Sequence, residues 1–138
     1  MRSRSRNSPR PATASARASY SYSGRSFTDT TLVEQILSRH PGIHAGGELR
    51  FMGLISHALG DFTRESIVHH VLRMRLREPG LDPWADLGQR YLALGDERFG
   101  AGARFTDKLL TNHLRIAVIL RALPGARMIR CRREPLDI

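Results

Sequence analysis

The sequence predicts an α/β fold: a parallel sheet flanked by helices, behind a disordered leader. Three observations predict it. First, "ARFTDK" (Ala103 to Lys108) and "ARMIRC" (Ala126 to Cys131) read as short strands, and "NHLRIAVILRAL" (Asn112 to Leu123) between them reads as a helix. Strand, helix and strand at these lengths make a βαβ unit, whose two strands run parallel. Second, apolar residues recur at helical spacing through the middle of the chain. Third, residues 1–25 are Arg, Ser, Ala, Pro and Tyr with almost no aliphatic side chains. Such a segment cannot offset its ordering entropy by burial.

Within that leader, the alternation Ala18-Ser19-Tyr20-Ser21-Tyr22-Ser23 has the period of a strand. No apolar face supports it, so at most a weak edge strand is expected. From Thr30 the character changes. Thr30 or Thr31 can cap a helix with Glu34 in its first turn. Leu32, Val33, Ile36 and Leu37 give that helix an apolar face, and Pro41-Gly42 stops it. Ile43-His44-Ala45 reads as a short strand before Gly46-Gly47-Glu48. Phe51 to Leu59 looks helical. Thr63 to Glu78 is a second helix, with Ile67, Val68, Val71, Leu72 and Leu76 on one side and Arg73 and Arg77 on the other. Asp82 caps a third helix with Pro83 at its first position, running to about Leu94. Pro124-Gly125 ends the helix of the βαβ unit.

The chain has 138 residues, enough for one domain, and 41% of them are hydrophobic, enough for a core. Net charge is +9, and the leader supplies much of it: residues 1–29 hold six arginines against Asp29 alone. A partner bearing phosphate or sulfate groups suits this balance. One cysteine, Cys131, excludes an internal disulfide and points to a reducing compartment, read here as the cytoplasm. No apolar run approaches ~18 residues, so no membrane span is expected. The six histidines lack metal-ligand spacing: Pro41-Gly42 separates His40 from His44, and His69 and His70 face different ways on a helix. No metal site is expected.

In open parallel sheets, ligands bind beyond the carboxyl ends of the strands. Lys108 ends the first strand of the βαβ unit, and it is the only lysine in the chain. Arg132 and Arg133 end the second, and Glu48 follows the strand at Ile43. A carboxylate, a lysine and an arginine pair on one rim suit transfer of a charged group. The carboxylate takes a proton from an acceptor hydroxyl. The lysine stabilises charge on a leaving oxygen. An arginine grips a phosphate with paired hydrogen bonds.

"TTLVEQILSRHPGIHAGGELRF" and "RFTDKLLTNHLRIAVILRALPGARMIRCRREPLD", with the spacing between them, resemble the sulfotransferases. The nearest likeness is to the bacterial branch joined to helical repeats and related to tyrosylprotein sulfotransferases. The resemblance covers about Thr30 to Asp137. It implies a P-loop-kinase-like parallel sheet and 3′-phosphoadenosine-5′-phosphosulfate (PAPS) as sulfate donor, with no metal. Thr30 and Thr31 would bind the 5′-phosphosulfate and Arg133 the 3′-phosphate. Glu48 would be the base on the acceptor hydroxyl, and Lys108 would stabilise the bridging oxygen. The acceptor would be a protein tyrosine or a hydroxyl-bearing small molecule, with neither nucleic acid nor membrane as partner.

The chain departs from the family's pattern in its first turn, Gly-x-Pro-Arg-Ser-Gly-Thr-Thr-Leu. Phe27 stands for the arginine and Asp29 for the last glycine. A carboxylate ~4 Å from a bound anion costs about 4 kcal/mol at an effective dielectric of about 20. The family's fold also continues past Arg-x-Pro-x-Asp. Residues 26–138 are therefore expected to be the N-terminal portion of a sulfotransferase-like domain, truncated and weakly active or inactive. A different class, a basic module binding polyanions or nucleic acid through the Arg-rich tail, predicts affinity that falls steeply with salt.

Overall fold

A computed structural model of the chain describes residues 18–23 and 27–131. Four strands form one sheet: β1 (Ala18–Ser23), β2 (Ile43–His44), β3 (Arg104–Asp107) and β4 (Arg127–Cys131). Their order is β2-β3-β1-β4, and every neighbouring pair is parallel. The predicted α/β class and parallel strands are thus present. The two strands of the expected βαβ unit do run parallel, but they are not neighbours. β1 lies between them, pairing Ala18 with Phe105 on one side and Ser19 with Arg127 on the other.

That placement corrects the expectation for residues 18–23, which composition assigned to a disordered leader or a weak edge. The missing apolar alternation misled because a strand paired on both sides is held by main-chain hydrogen bonds whatever its side chains. The rest of the leader lies outside the described residues.

The described residues also form five α-helices: α1 (Phe27–Ser38), α2 (Phe51–Ile55), α3 (Arg64–Arg77), α4 (Pro83–Phe99) and α5 (Ile116–Ala122). Short 3-10 segments, His57–Leu59 and Leu110–Arg115, follow α2 and precede α5. α3 and α4 start where the sequence placed them. Thr63 Oγ1 accepts from the Ser66 N–H at the start of α3. Asp82 accepts from the Trp84 N–H at the start of α4, with Pro83 in the first turn. α4 runs five residues past its expected end, to Phe99, where Gly100 at φ 98° stops it.

The core gathers Met52 from α2, Leu87 and Tyr91 from α4, Phe105 from β3, and Val118, Ile119 and Ala122 from α5. Aromatic rings run through it: Tyr91 stacks on Phe105 at 5.9 Å and Phe105 on Phe99 at 5.1 Å between centroids. Phe105, Thr106 and Asp107 are consecutive and all buried, as a strand covered on both faces requires.

Two helices depart from the apolar faces expected of them. On α1, Leu32 and Ile36 are exposed, while Thr30 and Glu34 are buried. On α3 no side chain is buried, and Val68, Leu72 and Leu76 are exposed. Periodicity gives the face a helix can bury, not the face its neighbours cover. On α1 polar partners reverse the choice.

Candidate active site

α1 begins at Phe27, three residues before the expected cap. Thr30 and Thr31 therefore lie inside its first turns and are not its N-cap. One helical turn on, Glu34 shares the face of Thr30 and Thr31. Its side chain is 5% exposed and reaches the carboxyl edge of the sheet.

Three segments meet at that carboxylate: α1, the Gly46–Gly47 loop, and the end of β3 running into Lys108. Glu34 Oε1 accepts from the Gly47 N–H at 2.8 Å and from Thr106 Oγ1–H at 2.6 Å. Glu34 Oε2 lies 3.5 Å from Lys108 Nζ. The Lys108 ammonium donates to Thr31 Oγ1 at 2.9 Å. Thr106 Oγ1 in turn accepts from the Gly46 N–H at 3.1 Å, so its hydroxyl is used in both directions. The Lys108 N–H donates to the Gly47 carbonyl at 2.9 Å, carrying the β2–β3 contact past the ends of the strands.

The glycine pair is what allows this approach. A Cβ on Gly46 would stand 1.9 Å from the Thr106 carbonyl oxygen. Gly47 adopts φ 67°, the left-handed region that other residues reach only at a cost. Glu48 follows on the same rim and is exposed; among the described residues its side chain makes no hydrogen bond or ion pair.

Beneath the rim lies Asp107, fully buried. Its Oδ1 accepts from the Leu49 N–H at 3.3 Å and the Leu109 N–H at 3.1 Å. Its Oδ2 accepts from the Tyr91 hydroxyl at 2.9 Å. These bonds fix the chain just after Glu48 and just after Lys108. Burial pushes the Asp107 carboxyl up from 3.8 to about 6, against the opposing pull of those donors. The buried Asn112 side chain also favours the ionised Asp107, though among the described residues its amide meets no partner at hydrogen-bond geometry.

Beside this rim is an open groove of about 310 Å³, lined by Arg50, Gly53, Leu54, Leu109, Thr111 and Arg115. The Arg115 guanidinium donates to Thr111 Oγ1 and lies 4.8 Å from the Phe62 ring centroid.

Of the residues picked from sequence, Thr31 and Lys108 are in direct contact, and Thr30 is buried in the adjacent turn of α1. Glu48 shares their rim without touching them. Arg132 and Arg133 lie outside the described residues. Sequence reasoning missed Glu34, Thr106 and Asp107 as site residues. The signal for Glu34 was its position, three and four residues after the threonine pair. Among the described residues, no three His, Cys, Asp or Glu side chains gather as a metal site, and no helix is long and apolar enough to cross a membrane.

A family model described as the sulfotransferase family matches residues 28–138. No curated protein and no solved structure matches the chain.

Proposed function

The chain belongs to the sulfotransferase family, enzymes that transfer sulfate, and from that premise we propose that it uses PAPS as donor and a hydroxyl as acceptor. The acceptor is a protein tyrosine or a small molecule, and the sheet is the core of a P-loop-kinase-like fold. One observation carries the proposal. Lys108 Nζ bonds Thr31 Oγ1 at 2.9 Å, joining two motifs 77 residues apart at the carboxyl edge of a parallel sheet.

Lys108 and the start of α1 suit an anionic group there, against the negative charge of Glu34 at 3.5 Å from Nζ and of Asp29 in the same stretch of sequence. Lys108 is 15% exposed, so its ammonium acts with little screening by water. An ammonium has three N–H donors. Only the bond to Thr31 engages one at short range among the described residues. The first turns of α1 add the positive end of a helix dipole.

When bound, PAPS supplies an activated sulfuryl group on a bridging phosphate oxygen. Glu48, exposed on the rim, takes the proton of the acceptor hydroxyl. The new O–S bond then forms as the bond from sulfur to the bridging oxygen breaks. Lys108 stabilises the negative charge that gathers on that oxygen. Arg133 holds the 3′-phosphate.

Calorimetric titration with 3′,5′-adenosine bisphosphate, the desulfated donor, tests this. Saturable binding is expected, weakened at least tenfold by Arg133→Ala and little affected by Glu48→Gln. A folded chain that does not bind the nucleotide, or that binds it only as a polyanion with a steep loss in salt, overturns the proposal.

A further inference from the structure

We propose that Glu34 is a positioning residue: its carboxylate sets the Lys108 ammonium and the Gly46–Glu48 loop at one fixed separation. For its catalytic meaning, this rests on the role proposed for Lys108 above.

The two oxygens of Glu34 divide the work. Oε1 holds the main chain of the loop through Gly47 and the strand through Thr106, at 2.8 and 2.6 Å. Oε2 faces the ammonium at 3.5 Å, long for a charge-assisted hydrogen bond but close for an ion pair. The lysine is thus held by charge on one side and by Thr31 on the other, and its remaining N–H donors are not consumed by Glu34. A carboxylate that bound Lys108 bidentately would neutralise it as a donor; this one directs it.

The loop and the lysine are also tied directly, through the Lys108 N–H and the Gly47 carbonyl. Glu34 adds the side-chain tie that the backbone cannot supply. Without it, a flexible four-carbon stem would be free to carry the ammonium away from the rim. The carboxylate is one helical turn from Thr31, so the helix bearing the hydroxyl also bears the group that aims the lysine. Donor-side residues on α1 and the acceptor-side loop bearing Glu48 are thereby set by a single side chain.

Lys108 is the only lysine in the chain, which makes the test direct. Lysine-selective ¹⁵N labelling of the full chain gives one side-chain ammonium resonance, whose relaxation reports how tightly Nζ is held. In Glu34→Gln the amide oxygen still accepts from Gly47 and Thr106, but the charge facing Lys108 is gone. The expected result is a shifted resonance and a clear fall in its order parameter, with the Gly47 amide resonance little moved. Where the chain turns over PAPS, kcat falls about tenfold or more and KM for the donor changes less than threefold. Glu34→Asp, too short to span both contacts, does not rescue kcat.

A Lys108 resonance of unchanged position and order in Glu34→Gln overturns the proposal. Should that variant fail to fold, Thr106→Val removes the hydroxyl that orients Oε1 and is expected to move the Lys108 signal in the same direction; no movement overturns the proposal again. A wild-type chain that binds no 3′,5′-adenosine bisphosphate refutes the functional assignment instead, and the lysine spectra still decide whether Glu34 holds Nζ.

Discussion

Asp107→Asn tests whether the buried carboxyl beneath the rim titrates as its surroundings dictate. The wild-type carboxyl is raised from 3.8 to about 6, chiefly by burial. The folded chain therefore holds the proton more tightly than the unfolded chain. Between about pH 4 and 6 the folded state carries more protons, so stability falls as pH rises. The contribution is fully present below about pH 4 and is lost as pH passes through 6. Each pKa unit corresponds to about 1.4 kcal/mol, so the whole change is about 3 kcal/mol. Asparagine keeps an oxygen for the Leu49 and Leu109 N–H groups, and its amide can donate to the Tyr91 oxygen. It has no proton to lose. Urea unfolding of both chains at pH 4, 5, 6 and 7, at constant ionic strength, isolates the term, because other titrating groups cancel in the difference. Wild type minus variant should fall by about 2 kcal/mol across that range, since part of the change lies below pH 4. A difference flat to within about 0.5 kcal/mol refutes the reasoning. It would mean that the three donors hold Asp107 ionised in the fold at every pH tested.

Lys108→Met should leave nucleotide binding within a few-fold and lower kcat by about 100–1,000-fold, the usual loss when one charge-stabilising donor is removed; steady-state kinetics beside calorimetry separates the two. Gly46→Ala drives a Cβ into the Thr106 carbonyl and should cost about 1–3 kcal/mol in urea unfolding, because the loop must lift from β3. Tyr91→Phe removes the hydroxyl that donates to Asp107 Oδ2 and should cost about 1–3 kcal/mol at pH 7, with the stability midpoint moving to higher pH. Ile119→Ala, in the fully buried face of α5, should cost about 2–5 kcal/mol by chemical denaturation.

Where local chemistry decides, the sequence was readable. Asp82-Pro83 and Thr63 start helices where expected, Glu78 ends the second of these, and the two strands near the carboxyl end lie within a residue of their expected bounds. Where distant partners decide, it was not. β1 has no apolar alternation, and nothing near it in the chain shows that it will be paired on both sides. Glu34 reads as an ordinary first-turn acid. Its burial follows from Gly47, Thr106 and Lys108, which only the fold brings to it. The contact of Lys108 with Thr31 joins two stretches that the sequence singled out, although Thr31 lies inside α1 and not at the boundary expected of it. Asp107, one residue from Lys108, was passed over, since a strand-end acid is indistinguishable in sequence from a solvated one.

The sheet order also has a consequence for how the chain reaches its native state. β1 is synthesised before both of its neighbours, which come from the far end of the described chain, with Ser19 opposite Arg127. No local hairpin or adjacent strand can shelter it in the meantime. Closing so large a loop is entropically costly before any pairing rewards it, so docking of β1 belongs late in folding. Until β4 emerges, its main-chain donors and acceptors are open to water, or to any other strand that arrives sooner.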